Sequence, residues 1–465
     1  MSAERWNARE NREAVIGSAD FREKIKEISR RLEAEEIDGV YFQLSSVDGR
    51  ILGKLVMREQ FEQVAVNGIR LHYGALTDAR VNPWGELIGF RNEEIEGLGI
   101  PDPDTFAVLP WQPRLARVWC NFYEEATGRL LDHDVRGNLL RVETNLERET
   151  GLRLLVGIEP EMMWLRRRDD GELRHSTAAD AMYHIAQFHE LEEVFLDVVD
   201  YGRSMGLSLS HGDHEDASQI EFNQTPSTPL AYADAFVTYR QICRVVARKH
   251  GLVACFMPKP FTGVSGNGHH HHVSLIDAQG ENQVVGDLAG DCRLSQTGLH
   301  FAGGLLQHAD ALTLVGAPSV NSYKRFWDIG YWAPFRKSYG YNNRTVTLRI
   351  PAPGRFEIRQ FDASCNPYLS IAGVAAAALD GVKNKIDPGA PFEGDASLDL
   401  RIPRGERIPL TIQEAIDAFQ ADPLMKDAFL PGLYKAFLEL RLDELARYSG
   451  QVSQWERDFY MERYP

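Results

Sequence analysis

The chain has 465 residues, of which 43% are hydrophobic and 25% are charged, a composition typical of a globular protein with about two or three domains. Its net charge of −16 argues against nucleic acid and against an anionic membrane surface as partners. The five cysteines are scattered and form no CxxC pair, so the sequence supports neither a disulfide framework nor a thiolate zinc site and favours a reducing compartment.

The N-terminal segment and the apolar runs give no sign of export or of membrane insertion. The first residues are charged and carry no hydrophobic signal segment, and no apolar run approaches the roughly 18 residues that a bilayer span requires. We therefore expect a cytoplasmic protein that binds neither a membrane nor nucleic acid.

The N-terminal part of the chain predicts a small α+β unit. Residues 22–36 repeat apolar side chains at helical spacing and predict an amphipathic helix. Two apolar runs around the tetrapeptide VDGR, within residues 39–57, predict a β-hairpin. The segments VNPWGELIG and PDPDTFAVLPWQPR are rich in Pro and Gly and are interpreted as loops, and a domain boundary is expected near residues 115–135.

The second part of the chain mixes predicted strands and helices. Strands are predicted over residues 152–165 and in TVTLRIP and RFEIRQF, and helices over residues 190–206 and in LSIAGVAAAALDGV. Thr411 and Glu414 have the spacing of a capping box that opens a last helical region. Because helices and strands do not alternate regularly, the predicted fold class is α+β rather than doubly wound α/β.

Carboxylates recur on single faces of the predicted strands. Glu159 and Glu161 of IEPEMMWL project the same way, and two such carboxylates repel unless a cation or an arginine lies between them. Glu215 and Glu221 follow in HGDHEDASQIEFNQTP, and Glu357 lies in RFEIRQF. The alternative interpretation of each segment is a solvent-exposed ionic strand or a polar loop.

Four consecutive histidines lie in GNGHHHHVSL, at the start of an apolar segment of β type. Strand alternation places His269 and His271 on one face and His270 and His272 on the other. One pair is therefore predicted to line a site while the other packs or reaches solvent. These residues alone leave open which pair faces the site.

Carboxylates combined with a minority of imidazole favour Mg²⁺ or Mn²⁺ over zinc. Arginines that can bind anionic groups bidentately accompany them: Arg325, Arg344, Arg349, Arg355 and Arg359. Carboxylates, divalent cations and arginines together are typical of phosphoryl transfer. The sequence has no GxxxxGK[ST] motif, so a nucleotide would bind without a P-loop.

In order and spacing, six segments resemble the glutamine synthetase superfamily: IEPE, HEDASQIEFN, FMPKPFTGVSGNGHHHHVSL, NSYKR, NRTVTLRIP and RFEIRQFDASCNPYLSIAG. The resemblance implies a β-grasp domain with a leading helix over residues 1–120 and a catalytic domain on a curved antiparallel sheet over residues 121–465. It also implies a homo-oligomer of stacked hexameric rings, a dodecamer, with active sites between subunits. In the implied reaction, ATP phosphorylates the γ-carboxylate of L-glutamate, and a nitrogen nucleophile displaces the phosphate.

The resemblance also implies roles for matching residues, with two or three Mg²⁺ or Mn²⁺ ions in each active site. One cation is expected on Glu161, Glu215 and Glu221, and another on Glu159, His270 and Glu357. The residues that match the ATP site are His272, Ser274, Arg349 and Arg355. Those that match the glutamate site are Gly266, Arg325 and Arg359, and Arg344 matches a catalytic arginine. Two departures are a Glu215–Glu221 spacing shorter by a residue or two and Ser265 in place of the usual Asn.

The chain departs most from true glutamine synthetases where these bind the nitrogen nucleophile. Tyr73 of HYGAL replaces an Asp that a neighbouring subunit contributes, Trp332 of GYWAP replaces a flap Glu, and Tyr183 keeps an aromatic ring at the rim. Losing the charge partners of a buried ammonium costs several kcal/mol, on the order of a thousandfold in affinity. The pocket is therefore predicted to take an amine with an apolar or aromatic body, with Asp328 as a candidate base for protonated alkylamines. Alternatively, Tyr73 and Trp332 only pack a diverged loop.

We expect an ATP-dependent ligase that forms a γ-glutamyl amide, similar to γ-glutamylanilide, γ-glutamylalkylamide and γ-glutamylpolyamine synthetases, as the first step of amine catabolism. Aromatic amines such as aniline are favoured, with aniline degradation as the context, because they are neutral at pH 7 and need no general base. Small alkylamines such as isopropylamine or methylamine rank next, and polyamines last. Two competing hypotheses are an ordinary glutamine synthetase that uses ammonia and an inactive structural member of the fold.

Overall fold

Two β-sheets organise the computed structural model of the chain, which describes residues 9–90, 96–177, 182–286, 293–327, 333–396 and 402–463. The first sheet contains β1 (Gly39–Ser45), β2 (Ile51–Met57), β3 (Ile69–His72), β4 (Glu96–Val108) and β5 (Leu115–Glu124). Their order is β2-β1-β5-β4-β3, with β1 and β5 parallel and the other neighbours antiparallel. The hairpin predicted within residues 39–57 is confirmed as β1 and β2.

One predicted loop is wrong, because the segment PDPDTFAV forms the second half of β4. Pro101 and Asp102 pair with β5, and the register then shifts before Ala107 pairs again. This irregularity absorbs Pro103, which has no N–H to donate to a neighbouring strand. A proline-rich composition therefore marked an interrupted strand rather than a loop.

Three helices accompany the first sheet: α1 (Arg12–Gly17), α2 (Ala19–Ala34) and α3 (Phe61–Asn67). The helix predicted over residues 22–36 is confirmed as α2. It begins earlier than predicted because the Ser18 hydroxyl caps it, accepting a hydrogen bond from the Phe21 N–H at 3.1 Å. Its buried face consists of Phe21, Ile25, Ile28 and Leu32.

The second sheet contains β6 (Arg153–Arg167), β7 (Leu173–His175), β8 (Leu209–His214), β9 (Gln219–Gln224), β10 (Leu252–Cys255), β11 (His269–Ile276), β12 (Arg336–Tyr341), β13 (Val346–Ala352) and β14 (Arg355–Ile358). Its main order is β12-β13-β14-β11-β6-β9-β8, and β7 and β10 also pair with β6. The described pairings are antiparallel except β12 with β13. The predicted α+β fold class is confirmed, with one parallel pair at the edge of the second sheet.

The other described helices follow the first sheet along the chain: α4 (Val135–Thr150), α5 (Ile185–Glu190), α6 (Glu192–Ser204), α7 (Pro229–Lys249), α8 (Gln296–Gln307), α9 (Ala309–Gly316), α10 (Lys324–Trp327), α11 (Pro367–Asn384), α12 (Ile412–Ala421), α13 (Pro423–Ala428), α14 (Pro431–Ser449) and α15 (Gln454–Tyr460). Short 3₁₀ helices span Arg58–Gln60, Tyr73–Thr77 and Arg404–Glu406. The helix predicted over residues 190–206 is interrupted at Leu191, and the one in LSIAGVAAAALDGV is α11. Helices α8 and α11 touch at Gly304, where a Cβ atom would lie 2.1 Å from the Ala377 carbonyl oxygen. None of the described helices combines the length and apolar character needed to cross a bilayer.

The predicted capping box at the start of α12 forms only in part. The Thr411 hydroxyl accepts a hydrogen bond from the Glu414 N–H at 3.2 Å, as predicted. The Glu414 carboxylate, however, accepts from the Leu410 N–H at 3.0 Å and from Arg407 at 2.8 Å. A complete capping box opens α15 instead, between Ser453 and Glu456.

A buried ion network joins the first sheet to the helices of the second. Arg136 of α4 lies 2.7 Å from Asp102 of β4 and 2.8 Å from Asp234 of α7. It also donates to the Asn121 side chain at 2.8 Å, and the Tyr368 hydroxyl donates to Asp234 at 2.6 Å. Burial opposes the charge of Arg136, but Asp234 and Asp102 raise its pKa well above the ordinary value. Arg136 therefore stays positively charged within this network.

A second charged cluster ties three helical segments together around His308. Its Nδ1 lies 2.7 Å from Asp422, and its Nε2 lies 3.0 Å from Asp380 of α11. Burial lowers the pKa of His308, but Asp422 and Asp380 outweigh it, and the net pKa is raised. This imidazole is therefore a pH-sensitive link at the C-terminal side of the fold.

Each sheet has its own hydrophobic core. Phe42 and Val118 belong to the first, and Trp164 and Phe356 to the second. The first sheet ends at Glu124 and the second begins at Arg153. The division into domains at residue 120, which falls inside β5, stays a prediction.

Candidate active site

A row of ionisable side chains crosses the second sheet from strand to strand. Glu161 of β6 lies opposite Glu221 of β9, and Glu159 of β6 lies opposite His270 of β11. Directly opposed residues on neighbouring antiparallel strands share a face, so these side chains point the same way. The row continues through the pairs His272 with Glu357 and Glu357 with Arg349. Sheet pairing thus brings together residues that are far apart in the sequence.

Glu357 is a fully buried member of this row. Its carboxylate accepts a hydrogen bond from Arg349 Nη1 at 2.7 Å and contacts Arg359 Nη1, while His270 Nδ1 lies 3.5 Å away. Burial by itself would raise the pKa of this carboxyl, but Arg359 and His270 lower it to about 2. Glu357 is therefore a fixed negative charge at neutral pH.

Glu159 lies between the two histidines that face the site. Its Oε1 lies 2.7 Å from His272 Nε2, and its Oε2 lies 3.5 Å from His270 Nδ1. Burial opposes the charge of Glu159, yet the two histidines hold its pKa well below the ordinary value. Within the described part of the chain, neither ring nitrogen of His272 makes an aligned hydrogen bond.

The chemistry of these donors fits a divalent cation. Ligand atoms of Glu159, His272 and Glu357 lie within 4.8 Å of one another. Carboxylate oxygens with an imidazole suit Mg²⁺ or Mn²⁺. The resemblance assigns His270 rather than His272 to this cation, and the structure brings both imidazoles beside Glu159.

Glu161, Glu215 and Glu221 form the other acidic group. Burial and then Glu161 and Asp213 raise the pKa of Glu215 to about 7, although Arg344 opposes this. Burial, Glu159 and Glu161 likewise raise the pKa of Glu221 well above its ordinary value. Like charges that raise one another's pKa mark a place where a cation would be strongly stabilised. The donor set therefore fits a second divalent ion. Glu221 lies in this group, opposite Glu161, despite its shortened spacing from Glu215, and its role as a ligand stays a prediction.

The four histidines divide by face as the alternation predicts. His269 and His271 are completely buried, and the His269 ring packs edge-on against Phe236 with centroids 4.1 Å apart. His271 Nε2 lies 2.8 Å from the Ser370 hydroxyl, and burial lowers the pKa of His271 to about 3. This pair therefore packs in the core as neutral rings, and His270 and His272 face the site.

A cavity of about 410 Å³ opens over the row, and its walls include many of the residues that the sequence singles out. These are Glu159, Glu161, Tyr183, Glu215, Glu221, Ser265, Gly266, His270, Arg325, Arg344, Arg349 and Arg359. A Cβ atom on Gly266 would lie 2.6 Å from both Arg325 Cγ and the Pro258 carbonyl oxygen. The glycine therefore allows the close approach of the Arg325 side chain to this wall.

Three expected ATP-site residues lie outside the cavity lining. His272 lies behind Glu159, and Arg355 is exposed at the start of β14. The Ser274 hydroxyl donates a hydrogen bond to the Gly354 carbonyl at 2.6 Å, so in this chain it stabilises the turn between β13 and β14.

The residues expected around the amine are only partly described. Tyr183 lies at the cavity rim, with its backbone N–H donating to the His214 carbonyl at 2.8 Å. Tyr73 packs in the first sheet, its ring stacked on Phe90 at 5.8 Å and edge-on to Phe122. It is away from the cavity of its own chain, as a residue contributed to a neighbouring subunit would be, and its role stays a prediction. Asp328 and Trp332 lie outside the described residues.

Several residues of the site escaped the sequence reasoning. Gln219 donates to Glu161 at 3.2 Å and to the Gly266 carbonyl at 2.9 Å, and so joins two walls of the cavity. Asn223 donates to Glu221 at 2.6 Å. The signal was available, because Gln219 and Asn223 alternate with Glu221 in SQIEFN. Four further residues line the cavity: Met182, His211, Asp213 and Ala333.

Comparisons with known proteins agree with this geometry. The sequence pattern of the family described as "Glutamine synthetase, catalytic domain" matches residues 132–460. A glutamine synthetase of Halobacterium salinarum is 34% identical over 93% of this chain and 95% of its own length. A glutamate–methylamine ligase of Methyloversatilis universalis is 32% identical over 94% of this chain and 99% of its own length.

A solved structure of GmaS in complex with ADP has 31% sequence identity and superposes with a TM-score of 0.84, covering 93% of this chain and 99% of that one. A structure of GmaS without ligand gives a TM-score of 0.83. The family match and the full-length relatives confirm the resemblance inferred from the six segments. The chain therefore belongs to the glutamine synthetase family and is an ATP-dependent ligase of that family.

Proposed function

We propose that this ligase joins the γ-carboxylate of L-glutamate to the nitrogen of an amine while ATP is converted to ADP and phosphate. The observation that supports it is the convergence of two acidic groups, an imidazole and four arginines on one cavity. Phosphoryl transfer to a carboxylate needs cations to neutralise the phosphate oxygens and arginines to hold two anionic substrates. Both requirements are met by residues whose positions are described.

In this proposal the γ-carboxylate oxygen attacks the terminal phosphorus of ATP, ADP leaves, and γ-glutamyl phosphate forms. The amine nitrogen then attacks the acyl carbon, the carbon–oxygen bond to phosphate breaks, and the nitrogen releases a proton. Arg325 and Arg359 are buried and suited to hold the glutamate substrate beside Gly266. Arg344 and Arg349 lie nearer the exposed side, where the phosphoryl group would enter.

The same carboxylates would hold Mg²⁺ or Mn²⁺. Glu159 and Glu357 with the site-facing histidines form one donor set, and Glu161, Glu215 and Glu221 form the other. A bound divalent cation supplies charge neutralisation at phosphate oxygens. The arginines on Glu357 keep that carboxylate ionised and fixed in position before any cation arrives.

The amine is proposed to be small and aliphatic, with methylamine as the first candidate. The relatives named above include a glutamate–methylamine ligase, and that likeness extends over the whole chain. The preference for an aromatic amine and for aniline degradation is not supported, because it depended on Tyr73 and on Trp332, which lies outside the described residues. Ammonia is the second candidate nucleophile, since several relatives are named glutamine synthetase.

The ring assembly and the setting of the reaction are also proposals. A family member that shares its active sites between subunits would place Tyr73 of one chain at the cavity of the next. Light scattering should then give a mass of about 12 chains, or about 6 for a single ring. A cytoplasmic role in the first step of amine catabolism is consistent with the proposed reaction.

The test is a product assay with glutamate fixed and the nucleophile varied among methylamine, isopropylamine, putrescine, aniline and ammonium. We expect ADP release with the alkylamines and a γ-glutamyl amide identified by mass spectrometry, and no amide without Mg²⁺ or Mn²⁺. Glu357→Gln should abolish turnover because it removes the fixed charge under both histidines. Glu172→Gln, on the exposed turn between β6 and β7, is the matched control and should retain activity.

Two results would contradict the proposal. Turnover with ammonium equal to that with any alkylamine would make the chain an ordinary glutamine synthetase. No ADP with any nucleophile would favour a member of the fold that has lost its activity.

A further inference from the structure

Asp213 is a carboxylate on the cavity wall that lies outside both candidate cation groups. It lies on β8, the last strand in the described order of the second sheet. Asp213 is directly opposite Glu221, which is in turn opposite Glu161. Neighbouring strands are about 4.8 Å apart, so Asp213 extends the acidic row by one strand, towards the cavity rim.

The alternation of β8 determines which of its side chains face the cavity. Asp213 and His211 line the cavity, whereas His214 is completely buried on the opposite face. The Asp213 side chain is 33% exposed. It is therefore accessible to a small molecule that enters the cavity.

The contacts of Asp213 with neighbouring side chains are long. His211 Nε2 lies 3.7 Å from its Oδ2, and the Asn223 amide donates to it at 3.5 Å. The same amide makes its short bond, 2.6 Å, to Glu221. Both Asp213 contacts are at the outer limit for a hydrogen bond or an ion pair, so its oxygens can still accept a stronger donor.

An aromatic and an apolar side chain lie beside this carboxylate. Tyr183 and Met182 line the same cavity and are 57% and 42% exposed. The Tyr183 N–H donates to the His214 carbonyl, next to Asp213 in the chain. Glu215 and then burial raise the pKa of Tyr183, with Asp213 contributing in the same direction, so the phenol and both carboxylates are close enough to interact.

A carboxylate next to an aromatic face and a thioether side chain is suited to a small organic cation. The carboxylate attracts the ammonium group, the ring adds a cation–π contact, and the apolar surfaces accommodate a short alkyl body. A neutral arylamine can donate only an uncharged N–H to the carboxylate, which is a weaker interaction than that of an ammonium group.

We propose that Asp213 binds the positively charged nitrogen of an aliphatic amine against the ring of Tyr183, and thereby selects protonated alkylamines over neutral arylamines. This assignment rests on the proposed function and deepens it by naming the charge state of the nucleophile and the residue that recognises it. Asp213 is a binding residue here and does not act as the base. The bound ammonium gives one proton to solvent water before its nitrogen attacks the acyl carbon, and the nitrogen loses a second proton as the amide forms.

The test compares a cationic with a neutral nucleophile of similar size. Methylamine is protonated at neutral pH, whereas hydroxylamine is largely uncharged and has the same number of heavy atoms. In Asp213→Asn, the KM for methylamine should rise about ten- to hundredfold, the expected loss of one charge-assisted hydrogen bond, while kcat stays within about twofold. The KM for hydroxylamine should change by less than about threefold.

Two further variants complete the comparison. Asp213→Glu keeps the charge and should recover most of the methylamine affinity. Asp169→Asn removes a carboxylate from the exposed turn between β6 and β7, and should leave both KM values as in the wild type. Mn²⁺ affinity, followed by electron paramagnetic resonance, should differ by less than about twofold between Asp213→Asn and the wild type.

Three outcomes would overturn the assignment. An equal rise in KM for methylamine and hydroxylamine would show a general disturbance of the pocket. A large loss of Mn²⁺ affinity would make Asp213 a metal ligand instead. The wild-type enzyme could form γ-glutamyl hydroxamate but no amide with any alkylamine; this would refute the amine assignment and leave ATP-dependent activation of glutamate intact. If the wild-type enzyme gave no product with either nucleophile, the proposed function itself would be refuted.

Discussion

Cation binding to the acidic group around Glu215 should depend steeply on pH. Burial and the neighbouring carboxylates raise the pKa of Glu215 to about 7, so below that pH its carboxyl carries a proton. A divalent cation binds the ionised form and must displace this proton, so affinity falls as the pH falls through 7. About one molecule in eleven is ionised at pH 6 and about ten in eleven at pH 8, which predicts roughly tenfold weaker binding at pH 6.

The measurement is a Mn²⁺ titration of the enzyme without nucleotide, at pH 6, 7 and 8 and constant ionic strength. Glu215→Gln should bind Mn²⁺ more weakly at every pH, and the part of the pH dependence centred near 7 should disappear. Glu221, whose pKa is also raised, would make the wild-type dependence steeper rather than flatter. An affinity that is constant from pH 6 to 8, or that rises towards pH 6, would refute the claim that these carboxylates compete for protons and cations.

Three further substitutions test other parts of the structure. Arg136→Met leaves Asp234 without its ion-pair partner and leaves Asp102 with Arg9 alone. It should lower the free energy of unfolding by about 3–5 kcal/mol, measured by urea titration at fixed protein concentration. A loss below about 1 kcal/mol would contradict the network. His308→Gln should lower the melting temperature most below pH 6.5, because the imidazole stabilises the fold only while it is protonated. The effect should become smaller as the pH rises through the raised pKa of His308 in the folded state. An effect that grows with pH would contradict this. Gly266→Ala should raise the KM for glutamate about tenfold by displacing Arg325. The control is Gly405→Ala, because a Cβ atom added at Gly405 meets nothing within 4 Å. An unchanged KM in Gly266→Ala would remove Gly266 from the glutamate site.

Strand alternation was the most reliable guide to the site. It paired Glu159 with Glu161 and separated His270 and His272 from the two core histidines, and the structure confirms both divisions. These are local consequences of a period of two, so they need no knowledge of distant contacts. The irregular alternation of helices and strands predicted the α+β class, and the order of segments then identified the family.

Local sequence patterns could not predict which strands pair with each other in the sheet. Nothing in GNGHHHHVSL indicates that it lies between the strands of IEPE and RFEIRQF, because register is determined by which strands are neighbours. Asp213 was overlooked for the same reason. Its position at the end of the acidic row follows from pairing with Glu221, although the sequence placed it plainly in HGDHE.

Composition misled in one place and motif spacing in another. Proline content marked residues 101–108 as a loop, whereas an irregularity in β4 keeps that strand paired. The spacing of Thr411 and Glu414 predicted a reciprocal cap, but Arg407 competes for the glutamate side chain. In both cases a tertiary contact prevailed over a local preference.

The position of β8 at the end of the sheet has a consequence for the enzyme before any cation is bound. In the described sheet β8 pairs with β9 alone, and the acidic side chains repel one another across this pair, so local fraying should begin at β8. Amide hydrogen exchange along residues 209–214 should therefore slow when Mn²⁺ is added, while the amides of β11, held between two strands, change little. The divalent ion would in this way stabilise β8, the strand that carries Asp213. Binding of the amine would then depend on prior binding of the metal.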